Sequence, residues 1–278
     1  MTFEPEQLGQ SKNDLAQTLR ELRKRAGLTG DRLARRCNMS QSQISKFETG
    51  KKTPKLVDVE RILRALDAPA DIVAEVSALA RIANTEWQDK RSSWRRGMEK
   101  RQAELASLER EAKELRYFLP SMITGLLATP EYVRASLTHT PGDPSKTVAR
   151  KLERQAVLYE TSKTFTFLLT EQAVRWAIAP ASAMAIQIDR LVSLSHLPNL
   201  RLGIVPLGAV VARGPMNTFT VYDNRLATVE NFTGRMVFCD SRDVLEHLAV
   251  FSLFERHASF DEEARSLLRK WASTFRDL

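Results

Sequence analysis

From Leu15 to Leu66 apolar residues recur at helical spacing in short runs, and each run is closed by Gly, Asn, Thr or Pro, a pattern that fits a bundle of short helices. Leu15, Leu19, Leu22 and Ala26 fall at i, i+4, i+7 and i+11, one stripe of a first helix that Gly27 ends. Thr29 caps a second helix to about Cys37, with Leu33 and Ala34 on its buried face. Ala34 is small where the next helix has to cross closely. In the turn Cys37-Asn38-Met39, Asn38 stands where a left-handed backbone is wanted, the conformation that Asn tolerates best after Gly. Ser40 caps a third helix, and Thr53-Pro54 restarts the chain as cap and first residue of a fourth. Val59, Ile62, Leu63 and Leu66 close the bundle, and a further helix runs from Ala70 to Ala83.

In the third helix Ile44 and Phe47 lie three apart and insert into the core, which turns Gln41, Ser42, Ser45 and Lys46 outward. Those four side chains suit base edges in a major groove. Gln pairs in two places with adenine, Ser bonds either class of edge, and Lys reaches guanine or a phosphate. The first residues of a recognition helix meet the bases, so Gln41 and Ser42 carry the strongest expectation. Thr49, Lys51 and Lys52 form a basic turn suited to phosphates, and the backbone amide of Gly30, at the start of the second helix, is a further phosphate candidate. Charge agrees with this reading. Residues 12–64 hold 14 Lys or Arg against 6 Asp or Glu, a net of +8, whereas the rest of the chain balances at 28 against 28. A basic patch confined to one small module is the footprint of phosphate binding through counterion release. The bland alternative is a solvated face of mixed charge.

These residues together resemble the helix-turn-helix domain of XRE-type regulators, the family of the phage repressors and Cro. Ala34, Asn38, Ile44 and the run Phe47-Glu48-x-Gly50-x-x-x-Pro54 all fall at family spacing. The resemblance implies a five-helix, lambda-repressor-like domain and a structural ion pair between Arg23 and Glu48, which removes Glu48 from the DNA ligands. Where many members place Gln at the start of the second helix, this chain has Gly30.

At 278 residues the chain has room for two domains of ~100–200 residues each. The opening Met-Thr-Phe-Glu-Pro-Glu lacks the apolar core of a signal peptide, and no apolar run approaches the ~20 residues of a membrane helix, so a cytoplasmic, nucleoid-associated location is expected. Cys37 and Cys239 stand far apart without neighbouring ligand types, which predicts neither a disulfide nor a metal site. No phosphate-binding glycine loop, nucleophile elbow or zinc-protease motif occurs, and His139, His196, His247 and His257 each stand alone. No catalysis and no cofactor are expected.

Glu86 to Arg116 is charged with both signs and carries two heptad-like rows: Arg91, Met98, Leu105 and Ala112, and Trp87, Trp94, Arg101, Leu108 and Leu115. A long helix follows from it, one that either dimerises as a coiled coil or packs on its own C-terminal domain, and that Gly97 can break in two. Beyond it strand signals appear at Phe165 to Leu169, at Leu200 to Ile204, and at Phe219 to Tyr222, which turns through Asp223-Asn224 into Leu226 to Val229. Met184, Ile188, Leu191 and Ser195 share a helical face between the first two strands, and helices follow near Val244 to Arg256 and Asp261 to Phe275. The motif Gly125-Leu126-Leu127-x-Thr129-Pro130-x-Tyr132-x-Arg134, with Leu168-Leu169-Thr170-Glu171, Pro198-Asn199-Leu200 before Val205-Pro206, and Gly214-Pro215 to Phe219, is similar to the C-terminal domain of WhiJ-like actinobacterial regulators. That family's usual Gln in Gly-Leu-Leu-Gln-Thr is Ala128 here.

The expected architecture is mainly α with an α/β C-terminal part: a helix-turn-helix domain over 1–83, a charged helical linker over 84–116, and a mixed α+β domain with a small sheet over 117–278. The expected function is sequence-specific regulation of transcription by a homodimer on double-stranded operator DNA. The C-terminal domain would sense a small-molecule effector or a small neighbouring protein, with Tyr132, Arg134, Glu171 and Arg213 as its candidate site. Glu171 with Arg134 or Arg154 is either a polar pocket constellation or an ion pair, and Pro206 to Met216 either a lid or a plain loop. The rival reading is an antitoxin-like module that sequesters a small neighbouring protein and autoregulates its operon.

Overall fold

The computed structural model describes residues 7–89, 98–140 and 142–278. The chain divides into two compact units, one of the residues up to Trp87 with Met236–Asp243, the other of Gln88–Arg235 with Val244–Leu278.

Among the described residues up to Trp87, the first unit holds the helices α1 (Gln7–Arg25), α2 (Gly30–Arg36), α3 (Gln41–Glu48), α4 (Leu56–Ala65) and α5 (Ala70–Asn84). Their boundaries follow local chemistry. Gly27 takes φ +66° after α1, and Asn38 takes φ 52° in the turn between α2 and α3. Thr29 Oγ1 accepts the Arg32 N–H at 3.2 Å, and Ser40 Oγ accepts the Gln43 N–H at 3.1 Å, each satisfying a donor that the first turn leaves open. Leu15, Leu19, Leu33, Ala34, Ile44, Phe47, Val59, Ile62 and Leu63 are all buried in one core, which Val76, Ala80 and Ala83 of α5 complete. The fourth helix begins later than Thr53-Pro54 suggests. Its N-cap is Lys55, with no side-chain cap bond, and Pro54 is instead buried with its carbonyl accepting from the Asn84 amide at 2.9 Å.

The second unit is an α/β fold, and a larger sheet than the sequence pattern suggests. Its described elements are α6 (Met98–Glu111), β2 (Glu114–Leu119), α7 (Pro130–Ala135), α8 (Ser145–Glu153) with a 3-10 turn to Tyr159, β3 (Thr164–Thr170), α9 (Glu171–Arg175), α10 (Ala181–Leu194), β4 (Leu200–Val205), β5 (Thr218–Tyr222), β6 (Leu226–Glu230), β7 (Gly234–Phe238), α11 (Ser241–Glu255) and α12 (Asp261–Arg276), after a short β1 (Thr85–Asp89). Units overlap along the chain here: β1, β7 and α11 each begin in one and end in the other. Strands β2, β3 and β4 are parallel neighbours, and β5 pairs antiparallel with β2 on one side and β6 on the other. The Asp223-Asn224 turn does more than join the hairpin, because Asp223 Oδ1 accepts the N–H groups of Lys113 and Glu114 at 2.8 and 2.9 Å and so docks the start of β2.

Alternation along the strands gives the sheet two covered faces. Tyr117, Phe165, Phe167, Leu169, Leu202 and Ile204 join Met184, Ile188 and Leu191 of α10 and Leu268 and Ala272 of α12 in one large core. Phe118 and Phe219 point the other way and meet Phe254 of α11, with ring centroids 4.5 Å (Phe118 to Phe254) and 5.1 Å (Phe118 to Phe219) apart.

Among the described residues, the long helix expected over Glu86 to Arg116 is replaced by the end of β1, by α6, where Met98–Glu111 is helical, and by the start of β2. Arg91, Trp94 and Gly97 lie outside the described residues, as do the side chains of Trp87, Met98 and Arg101. Leu105, Ala112 and Leu115 are buried, and Ala112 and Leu115 belong to the core of the second unit, so residues from α6 onward are part of that domain and not a linker. The helical periodicity misled at β2, where the seven-residue spacing of Leu108 and Leu115 coincides with strand alternation of Leu115, Tyr117 and Leu119.

Gly203 on β4 marks a close approach of β4 to its neighbours. A Cβ there would stand 2.7 Å from Leu168 Cδ2 and from two ring carbons of Phe260, whose face also carries the Arg201 guanidinium at 4.4 Å. Gly203→Ala is expected to destabilise the second unit by ~1–3 kcal/mol through overpacking, read as a lower urea midpoint at unchanged slope. An unaltered midpoint would show that the Phe260 ring yields freely.

Candidate functional site

In the first unit α2 and α3 pack together, and burial of Ile44 and Phe47 fixes which face of α3 is turned outward. Gln41, Ser42, Ser45 and Lys46 are all exposed on that face. Gly30 sits beside it: a Cβ at Gly30 would lie 3.9 Å from Gln41 Nε2, so the start of α2 and the first residue of α3 form one surface. Asp31, whose charge would repel a phosphate there, is held at 2.8 Å by exposed Arg35 one turn along α2.

The helix is locked from behind. Arg23 donates through Nε and Nη2 to the two carboxylate oxygens of Glu48 at 2.6 and 2.7 Å, and through Nη1 to the Leu28 carbonyl at 2.8 Å. Donating to Glu48 raises the Arg23 pKa above its ordinary value. One arginine thereby ties the ends of α1 and α3 and the loop before α2, and Glu48 has both oxygens occupied.

After α3 the chain turns sharply. Thr49 Oγ1 donates to the Ser45 carbonyl at 2.7 Å, and Gly50 adopts φ +69°. A side chain at Gly50 would be strained by that backbone and would meet Asn13 Oδ1 at 3.4 Å. The turn presents Lys51 and Lys52 to solvent, with the Lys52 ammonium 5.9 Å from the Phe47 ring centroid. Base and phosphate candidates thus lie on contiguous segments of one unit.

The four C-terminal candidates do not assemble. Tyr132 is buried; its hydroxyl accepts the Ile123 N–H at 3.1 Å, and burial pushes its phenol from 10 up to about 12. Arg134 is exposed and pairs with Glu131 within its own helix. Glu171 pairs with Arg175 one turn on at 2.6 Å and accepts the Leu207 N–H at 3.1 Å, so it is an ion pair, but with neither Arg134 nor Arg154. Arg213 pairs with Glu246 of α11 at 2.7 Å. The Gly125–Thr129 motif has a structural explanation. Gln155 donates to the carbonyls of Gly125 and Ala128 at 2.8 and 2.7 Å, Gln187 donates to the Leu127 carbonyl and accepts the Thr129 N–H, and Thr129 caps α7 with Pro130 in its first turn. Ala128 is buried, facing the core.

Sequence reading missed a buried polar cluster. Arg154 donates through Nε to Glu109 Oε2 at 2.9 Å, through Nη2 to Glu109 Oε1 and through Nη1 to Gln102, and the Tyr117 hydroxyl donates to Glu109 at 3.3 Å. Burial opposes the Arg154 charge, but the hydrogen bond and charge of Glu109 more than offset it, so the guanidinium stays protonated. Nothing local in the sequence links residue 109 to residue 154. Among the described residues, no group of three or more His, Cys, Asp or Glu is placed to hold a metal ion, and no helix is long and apolar enough to cross a membrane.

A helix-turn-helix domain model matches residues 14–84, and the model described as domain of unknown function (DUF5753) matches residues 102–270. No curated protein matches the chain. Among solved structures, NucT from Helicobacter pylori is similar over 63% of this chain and 96% of its own, at 11% identity and TM-score 0.37. Nuc from Salmonella typhimurium, a phospholipase D family member, is similar over 57% of this chain and 89% of its own, at 9% identity and TM-score 0.32. TrmBL2, an archaeal chromatin protein with a novel mode of DNA binding, is similar over 78% of this chain and 68% of its own, at 12% identity and TM-score 0.33. At these TM-scores the three likenesses carry no argument about chemistry.

Proposed function

The chain belongs to the DUF5753 family, and on that footing we propose that it is a sequence-specific DNA-binding transcriptional regulator of XRE type, acting by binding and not by catalysis. Its second domain is of the WhiJ-like subtype and senses an effector or partner. What supports the reading is one observation above the rest: Gln41, Ser42, Ser45 and Lys46 face solvent together on a helix whose opposite side is buried and whose end is clamped by Arg23. A single module of this size covers too few base pairs for strong discrimination, so the protein works as a homodimer on half-sites about 34 Å apart. It acts in the cytoplasm, on the nucleoid.

Purified protein is expected to shift duplexes carrying its own promoter region at nanomolar concentration and unrelated duplexes only at micromolar concentration or above. A folded protein that ignores both in dilute buffer would end the proposal. Lys51→Ala with Lys52→Ala is expected to weaken binding to all sequences alike and to flatten the logarithmic salt dependence by ~1 for each phosphate no longer neutralised. An unchanged slope would remove both lysines from the backbone contacts.

A further inference from the structure

The face of the sheet under α11 contains an open cleft that no proposed DNA contact uses. Its floor is made of Phe118 on β2, Phe219 on β5 and Phe254 on α11, all nearly inaccessible to solvent. One wall is the loop before β5, which contributes Arg213 and Met216, and the opposite wall is α11, which contributes Glu246 and His247. The His247 ring stands edge-on to Phe219, with centroids 5.2 Å apart and planes at 73°. Every one of these residues belongs to the second unit. The loop is pinned at two places only among the described contacts, by Glu171 to the Leu207 N–H and by Glu246 to Arg213.

We propose that this cleft is a binding site for a small, flat aromatic carboxylate, with its ring on the three phenylalanines and its carboxylate on Arg213. The proposal deepens the reading of the second domain as a sensor and names the chemistry it would sense. Three features set the class. The phenylalanine floor, with Met216 and Val250 beside it, offers a flat apolar surface that suits a planar ring. The volume, about 230 Å³, lies below the ~300–1,000 Å³ of ordinary ligand pockets, so it suits a fused bicyclic ring better than a nucleotide or a larger cofactor. At the rim, Arg213 and Glu246 are both more than half exposed, 55% and 61%, so their pair is weak and exchanges at little cost. A ligand carboxylate takes the planar guanidinium in two parallel hydrogen bonds, a geometry the single Arg213 Nη1 to Glu246 contact at 2.7 Å does not use, while Glu246 turns to water. Asn217 on the same rim adds further amide donors.

The test uses the full-length protein without DNA and 2-naphthoate as the probe, followed by ligand-observed NMR and fluorescence titration. Saturable binding is expected, weakened about tenfold by Arg213→Gln and by replacing the probe with uncharged 2-naphthalenemethanol. Val250→Trp, which fills the cleft from the half-exposed side of α11, is expected to abolish binding with the unfolding transition unchanged. No saturable binding at millimolar probe, indifference to Arg213→Gln, or a preference for 1-naphthylmethylamine would overturn the proposal. So would affinity that falls as protein concentration rises, which would assign the cleft to a second copy of the chain. If 2-naphthoate binds as expected but leaves DNA affinity unaltered, the site stands and the sensing role of the domain falls.

Discussion

Replacing Gln41 and Ser42 together by Ala is expected to erase the preference for the operator while leaving general DNA affinity in place. Both side chains are exposed, and neither is engaged in a hydrogen bond among the described contacts, so their loss should not unsettle α3; Ser→Ala is mildly favourable to a helix. Each well-placed base contact discriminates by ~1–3 kcal/mol, so removing two from each of two half-sites takes away ~4 kcal/mol or more, on the order of a thousandfold. Competition titrations of operator against scrambled duplex at one fixed salt concentration measure it. The salt dependence should hardly move, because the phosphate contacts come from elsewhere, and this separates the variant from Lys51→Ala with Lys52→Ala. Retained sequence preference in a protein of unchanged thermal stability would take α3 out of the major groove.

The second large effect is on stability. Glu109→Ala is expected to destabilise the second unit by ~3–5 kcal/mol, because it leaves the Arg154 guanidinium in the interior without its counter-charge and the Tyr117 hydroxyl without an acceptor. In a domain of this size that corresponds to a fall of roughly 6–20 °C in the thermal midpoint. The comparison that isolates the cause is the pair Glu109→Met with Arg154→Met, in which both charges go and apolar volume remains. That double variant should recover most of the loss, since a buried ion pair contributes little beyond a well-packed apolar pair, while half a pair is strongly unfavourable. A loss below ~1 kcal/mol for Glu109→Ala would mean that water reaches Arg154 and solvates it. With two units present, the two unfolding transitions need separate probes, and the Trp271 and Trp176 environments report on the second unit alone.

What was legible in the sequence is what depends on a few consecutive residues. The caps Thr29 and Ser40, the left-handed Asn38, the buried Ile44 and Phe47 and the outward face of α3 are all consequences of 3.6-residue periodicity and single-residue backbone preferences, and each is where the pattern placed it. The same holds for the Asp223-Asn224 hairpin and for α10 between its parallel strands. The tertiary structure alone decided the rest. Whether Leu115 belongs to a helix or a strand turned on which partners lay beside it, since β2 is stabilised by ladders to β3 and β5, about 50 and 100 residues away. Glu171 found Arg175 because a helical turn brings them together, whereas Arg154 found Glu109 and Arg213 found Glu246 only through the packing of separate elements. The Arg154–Glu109 and Arg213–Glu246 pairs and the cleft are built by long-range contacts, which no local period encodes, and so the apolar pattern specified the elements while the sheet chose their neighbours.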